Sequence, residues 1–347
     1  MTFSPSFRRA ILALPLVVVV TACDAVTPTE PGHGGGAGPA FRAASTGPFS
    51  TSGRVFDVAS QASLSNVSLI GDGLTAYSDA NGFFTLFGPT SSPTPRAITF
   101  SGAGVVSRQT WLRLPGPDAP TSLIPGTFDL VGFDQMFRAS FLRRWVQAPP
   151  LLIETRTLQF TDVNASSAVA TDDEMSDAEY QSLAADLAWA LPILSGSTFP
   201  GFATTQRQGS ASGATVVLLN GSQITVARVA GLTAATGFWG YGRWQTQGDG
   251  TVVAGNLVLD RDFERSSSPF HRSLRAHELG HAMGYNHVTG RASVMNSTAR
   301  LEPNVFDQQA CLIAFQRKPG NRSPDIDPLT GSVNAAPGGL TWGPPIR

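Results

Sequence analysis

Lysine is nearly absent from this chain: Lys318 is its single example, and arginine supplies the rest of the 24 basic residues. Against them stand 25 acidic residues, a formal net charge of −1, so no basic field is available to draw in nucleic acid. Cysteine is as scarce, with only Cys23 and Cys311. A disulfide scaffold is thereby excluded, and a chain of 347 residues is long enough to rely on a buried core instead. There is no long internal repeat. The one apolar run that invites comparison with a membrane span, 10–20, is too short to cross comfortably and is interrupted by Pro15. Histidine too is rare, five in all, yet three of the five fall between 277 and 287.

Arg8 and Arg9 precede the apolar run, the arrangement of an export signal. The run ends in VTAC at 20–23, which resembles a bacterial lipobox. That resemblance implies a lipoprotein signal peptide over 1–22 and lipid on Cys23. The protein would then be exported and anchored to a bacterial membrane, on its periplasmic face or at the cell surface. An ordinary signal peptide with generic cleavage is the alternative. The paired arginines also raise twin-arginine export, although the surrounding residues fit the general secretory route better. With lipid on Cys23, Cys311 has no partner in the chain and reads as a buried structural thiol beside Leu312 and Phe315. Residues 23–48 are rich in Gly, Pro, Ala and Thr, with almost no large apolar side chain besides Phe41. Such a composition predicts a flexible tether, in which His33 is solvated.

Residues 49–125 alternate short strand-like runs with turn signals: GRVFDV, NVSLIGDG, TAYSDANGFFTLF and RAITFSGAGVV, with Asp79, Ala80, Asn81 and Gly82 supplying a hairpin turn. The order GRVFD, NVSL, SDANGFFTL resembles the carboxypeptidase regulatory-like domain. It implies a small all-β sandwich, prealbumin- or Ig-like, serving as a spacer or adhesion module without catalytic residues. A β-rich prodomain is the alternative.

From 126 to 325 strands and helices alternate, as in an α/β (α+β) domain. A strand is expected at 151–155. Ser176 and Glu179 form a capping box that opens a helix carrying Tyr180, Leu183, Leu187 and Leu191, with Pro192 as its stop. Strands at 215–219 and 223–229 follow. The run at 251–260 is a strand that reads equally as an edge, able to pair with an extended peptide, or as an interior strand. Its Gly255 fits a bulge or a close backbone approach. Ser268 as N-cap and Pro269 as first helical residue open the next helix, which Leu274, Leu279, Ala282 and Met283 anchor in a core. A closing helix spans 307–315, RKPGNRSPD at 317–325 reads as a plain loop, and 326–347 as a Pro/Gly-rich tail. The acidic TDDEMSDAE at 171–179 lacks the glycine and spacing of a calcium loop, so calcium is unsupported and helix-dipole complementarity explains it.

Residues 277–287 read HELGHAMGYNH. Positions i and i+4 of an α-helix share a face, so His277 and His281 can offer ring nitrogens to one ion. Gly284 is suited to end that helix in a left-handed turn and return the chain so that His287 supplies a third. Three imidazoles and an open position for water make a catalytic rather than a structural zinc site. Glu278, beside the first histidine, is placed to act as general base.

HELGHAMGYNH together with SVMN at 293–296 resembles the metzincin clan of zinc peptidases. That resemblance implies one catalytic Zn2+ held by His277, His281 and His287, Glu278 as general base, and Met295 as a hydrophobic floor under the metal. The short gap from His287 to Met295 is similar to the matrixin branch. Val288 departs from the residue each named branch carries after its third histidine, and Asn296, Ser297 and Thr298 stand where some branches have a tyrosine ligand. Only His33 and His271 remain, so no second histidine-rich zinc site is expected, and no cysteine is placed to block the zinc from a propeptide. The implied activity is zinc-dependent endoproteolysis of extracytoplasmic proteins or peptides. The alternative is a surface binding or adhesion lipoprotein whose metzincin-like domain retains metal with little or no turnover. No specificity residue is assigned, Arg291 and Leu301 being undistinguished candidates.

Overall fold

Period-two alternation of apolar side chains builds the first part of the chain. Its strands are β1 (Phe49–Asp57), β2 (Ser68–Gly71), β3 (Leu74–Tyr77), β4 (Phe83–Gly88), β5 (Ser92–Ser101), β6 (Arg108–Leu114) and β7 (Thr121–Leu123). They form two sheets, β4-β1-β7 and β3-β2-β5-β6, over a core that includes Val55, Leu69, Leu86, Ile98, Phe100 and Leu114. The hairpin differs from the expected one. Asp79 does close a turn, accepting from the Asn81 and Phe83 amides, but the strands it joins, β3 and β4, pair into different sheets. The two-residue hairpin is instead at Asp72 and Gly73, whose φ values of 49° and 77° match the twist demanded between β2 and β3.

The computed structural model describes residues 43–219, 221–298, 300–329 and 341–342, all within one unit, Arg42–Arg347. Cys23 and His33 lie outside the described residues. Order begins before the expected end of the tether: the Ser45 amide donates to the Thr75 carbonyl, and the Thr75 amide to the Ser45 hydroxyl.

The second part contains α1 (Leu130–Phe137), β8 (Leu151–Glu154), β9 (Arg156–Gln159), β10 (Ser167–Glu174), α2 (Asp177–Leu194), β11 (Thr205–Gln208), β12 (Thr215–Val217) and β13 (Ile224–Ala230). It continues with α3 (Leu232–Thr236), β14 (Gly240–Thr246), β15 (Val252–Asp260), α4 (Arg261–Glu264), α5 (His271–Ala282), α6 (Val305–Phe315) and β16 (Thr341–Trp342). One mixed sheet runs β12-β10-β9-β13-β15-β14-β16, with β8 between β13 and β11. The chain is thus multidomain and mostly β with several helices.

One open alternative is settled and two expectations are corrected. β15 is interior, parallel to β13 and antiparallel to β14, which explains its nearly continuous burial. Pro192 does not stop α2; a proline removes only its own donor, and the helix continues through its last turn to Leu194. Helix α5 opens two residues later than Ser268 and Pro269 suggest, because the Ser268 hydroxyl is spent on the Phe270 amide in a preceding turn, leaving Phe270 as an N-cap without a side-chain bond.

Residues 317–325 are no plain loop either. Arg317, Asn321 and Asp325 are buried, as is Asp327 in the expected tail. Arg317 Nε donates to both Asp325 oxygens at 2.8 and 3.0 Å, and its Nη1 to the Ser122 hydroxyl of β7 at 2.7 Å. Arg108 of β6 donates to Asp327 at 2.8 Å, and Asn321 donates to both aspartates. Gln109 exchanges backbone hydrogen bonds with Asp325 and Asp327. The β-rich part is therefore fastened to the second part by a buried ionic seam.

Candidate metal and catalytic site

Helix α5 lies flush on β14 and β15 because both strands carry glycine where it crosses. A Cβ on Gly242 would stand 2.4 Å from the Glu278 carbonyl and 2.5 Å from the His281 Cβ, and one on Gly255 would stand 2.8 Å from the Ala282 carbonyl. Gly255 thus serves close approach. The helix ends as its sequence suggests. Gly284 has φ 107°, its amide bonds the His281 carbonyl and the Tyr285 amide bonds the Gly280 carbonyl, the paired bonds of a Schellman turn. The chain then reverses, and the Asn286 amide bonds the Met136 carbonyl of α1, fixing the approach of His287.

The three histidines converge. Their Nε2 atoms form a triangle with edges of 3.1, 3.2 and 3.2 Å. Nδ1 of His277 donates to the Val294 carbonyl at 2.7 Å, and Nδ1 of His281 to the Tyr285 carbonyl at 2.8 Å. A carbonyl only accepts, so each of these rings carries its proton on Nδ1 and turns a bare Nε2 lone pair to the centre. Two lone pairs cannot bond each other, and a cation between them is what the arrangement fits. Tetrahedral coordination at bond lengths of ~2.0–2.1 Å would set nitrogen separations of about 3.3 Å, close to those observed. Burial drives the proton affinity of all three down, His277 to about 4, His281 well below the usual range and His287 in the same direction. All three are neutral at pH 7, as ligands must be. Among the described residues this is the one group of three or more His, Cys, Asp or Glu side chains able to hold a metal ion.

Glu278 is buried beside them, with its Oε2 lacking any partner. Burial raises its proton affinity well above the usual carboxylate range, opposed by the Gly242 amide. Met295 is fully buried, and its sulfur lies against Gly280, where an added Cβ would meet it at 2.4 Å. Gly280 lies between the two helical histidines, so the thioether packs directly beneath their turn.

No protein-family model matches the chain, and no curated protein matches it either.

Several positioning residues escaped the sequence reading. Asp307 accepts from the Ser293 hydroxyl at 2.5 Å and from the Val294 and Asn304 amides at 2.9 Å, so α6 secures the segment whose Val294 carbonyl orients His277. Its signal was the Asn304-x-x-Asp307 capping pattern. Asn296 ties the loop from inside, donating to the Val288 and Arg291 carbonyls. Val288 is a core residue whose amide bonds the Met295 carbonyl. Arg291 is committed to Asp129 at 2.5 Å and to the Phe306 ring. Of the acidic stretch, Asp173 and Glu179 are held by Arg265, and Glu179 also by Arg228. Cys311 is a buried free thiol, as expected.

Proposed function

We propose that this protein is a zinc-dependent endopeptidase of the metzincin type, cutting peptide bonds of extracytoplasmic proteins, with a prealbumin-like β-sandwich ahead of its catalytic domain. The observation that carries this reading is the convergence of three imidazole Nε2 atoms, at 3.1–3.2 Å from one another and two of them fixed as bare lone pairs, beside a buried carboxyl with an unpaired oxygen. His277, His281 and His287 hold the zinc. When bound, zinc supplies a Lewis acid that makes water nucleophilic near neutral pH and polarises a carbonyl.

The remaining work falls to the chain. Glu278 takes the proton of the attacking water and delivers it to the leaving amine, a role open to a buried carboxylate whose Oε2 has no other partner. The Val294 and Tyr285 carbonyls fix ring orientation and tautomer from behind the ligands. β14 runs beside α5, and among the described residues its strand partner on the side away from β15 is β16, at Gln245 and Thr246 alone. Its stretch at 240–244 thus offers backbone groups to an extended substrate. Lipid on Cys23 holds the enzyme at a bacterial membrane; Cys23→Ser then releases it into the soluble fraction, and unchanged membrane association contradicts the anchor.

The full-length protein should contain about one zinc per chain and cleave an unfolded protein such as casein, with cleavage abolished by a chelator. His281→Ala should lose zinc and cleavage together. A protein that cleaves casein equally well without metal contradicts the reading.

A further inference from the structure

Beside His277 and Glu278 opens a cavity of about 200 Å³, whose wall includes Trp239, Leu274, Ser297, Thr298 and Arg300. The Trp239 ring is held rigid by stacking on Phe263, at 4.4 Å between centroids and 16° between planes. Arg300 lies over this aromatic wall, its guanidinium carbon 5.7 Å from the centroids of both Trp239 and Phe270. It forms no salt bridge among the described residues. The acidic residue nearest to it in sequence, Glu302, is taken by Arg272 at 2.6 and 2.8 Å. Apart from Glu278 itself, no carboxylate lines the cavity, whereas Ser297, Thr298 and Arg300 all bring hydrogen-bond donors to it.

A side chain entering this space meets apolar walls along its stem and donors, one of them cationic, around its tip. That chemistry fits a short apolar stem ending in a carboxylate. Which substrate residue enters follows from the proposed hydrolysis, on which this step rests: Glu278 delivers its proton to the leaving nitrogen and also lines the cavity, so the residue owning that nitrogen is the one within reach. We propose that Arg300 makes this cavity a subsite for acidic side chains, so that bonds whose nitrogen belongs to glutamate or aspartate are cut preferentially.

Quenched fluorescent peptides identical except for Glu, Gln or Lys at that position test it. The full-length enzyme should show kcat/KM about 10-fold higher for Glu than for Gln, as one charge-assisted hydrogen bond provides, with the ratio shrinking as salt is raised. Arg300→Glu should reverse the order, making the Lys peptide the better substrate, and Arg300→Gln should remove most of the Glu advantage. Arg300 is exposed, so both variants should fold. Fluorescence anisotropy of the same peptides on chelator-treated protein gives a readout that does not depend on turnover. Tighter binding of the Glu peptide, lost in Arg300→Glu, is expected there too. Cleavage without a Glu preference, or a preference that Arg300→Glu leaves in place, overturns the subsite. Absence of cleavage together with Arg300-dependent binding overturns the hydrolase and retains the subsite; absence of both overturns the two together.

Discussion

Two buried polar clusters in this molecule are built on opposite principles. At the seam between the β-rich part and the mixed sheet, Asp325 and Asp327 each accept from an arginine and from Asn321. At the histidine site, two ring nitrogens with lone pairs fixed by their backbone partners face a third, and Glu278 Oε2 has no partner at all. Burial is costly to polar groups unless they are paired. A cluster that satisfies itself contributes to the fold, whereas one that leaves its groups open is arranged for something that arrives from outside.

The largest effect should come from breaking the self-satisfied cluster. Arg317→Leu leaves Asp325 buried and underpaired and should cost about 3–5 kcal/mol in stability, measured by urea denaturation; a loss under ~1 kcal/mol would mean that the seam is not what joins the two parts. Next, Asp307→Ala frees the segment that orients His277. Zinc affinity should fall on the order of 10- to 100-fold by competition with a chelating dye, with helix α6 still formed. An unaltered affinity would show that α6 does not hold the ligand. Gly242→Ala drives a methyl into the α5 backbone at Glu278 and His281 and should cost about 1–3 kcal/mol with a matching drop in zinc content. A neutral result would mean that α5 can move off β14 freely.

The smallest effect is electrostatic and lies away from both clusters. Burial pushes the Glu179 carboxyl up, but hydrogen bonds from Arg265, the Ser176 amide and Arg228 outweigh it and hold the group at about 2. A carboxylate depressed on folding stabilises fully above its ordinary value of 4.5, and that contribution is lost as pH falls from there toward 2. Glu179→Gln should flatten this part of the stability curve in acid titration, by about 1 kcal/mol or less since the pair is partly solvated. A curve as steep as that of the parent protein would assign the acid sensitivity elsewhere.

The sequence made the site legible because its information is local: His277, His281, Gly284 and His287 are related by helical spacing and one turn. Capping also travels well, as at Ser176 and Glu179. Long-range pairing does not. Nothing in RKPGNRSPD indicates that Arg317 meets Ser122, nearly two hundred positions earlier, or that β14 rather than β15 borders the site. Gly242 and Gly280 went unexplained for the same reason, since each is glycine because of what packs against it. Proline and serine near helix ends misled in the other direction, because Pro192 and Ser268 are local signals that neighbouring turns absorbed differently.

The central claim is that the histidines hold zinc while Glu278 moves the proton, and the two roles separate in a single pair of measurements on the full-length protein and Glu278→Ala. Zinc content and casein cleavage should be determined on the same preparations. About one zinc per chain in both, with cleavage reduced by a factor on the order of 10²–10⁴ in the variant, is the predicted result. Equal cleavage by the two proteins, or zinc lost along with Glu278, would contradict it.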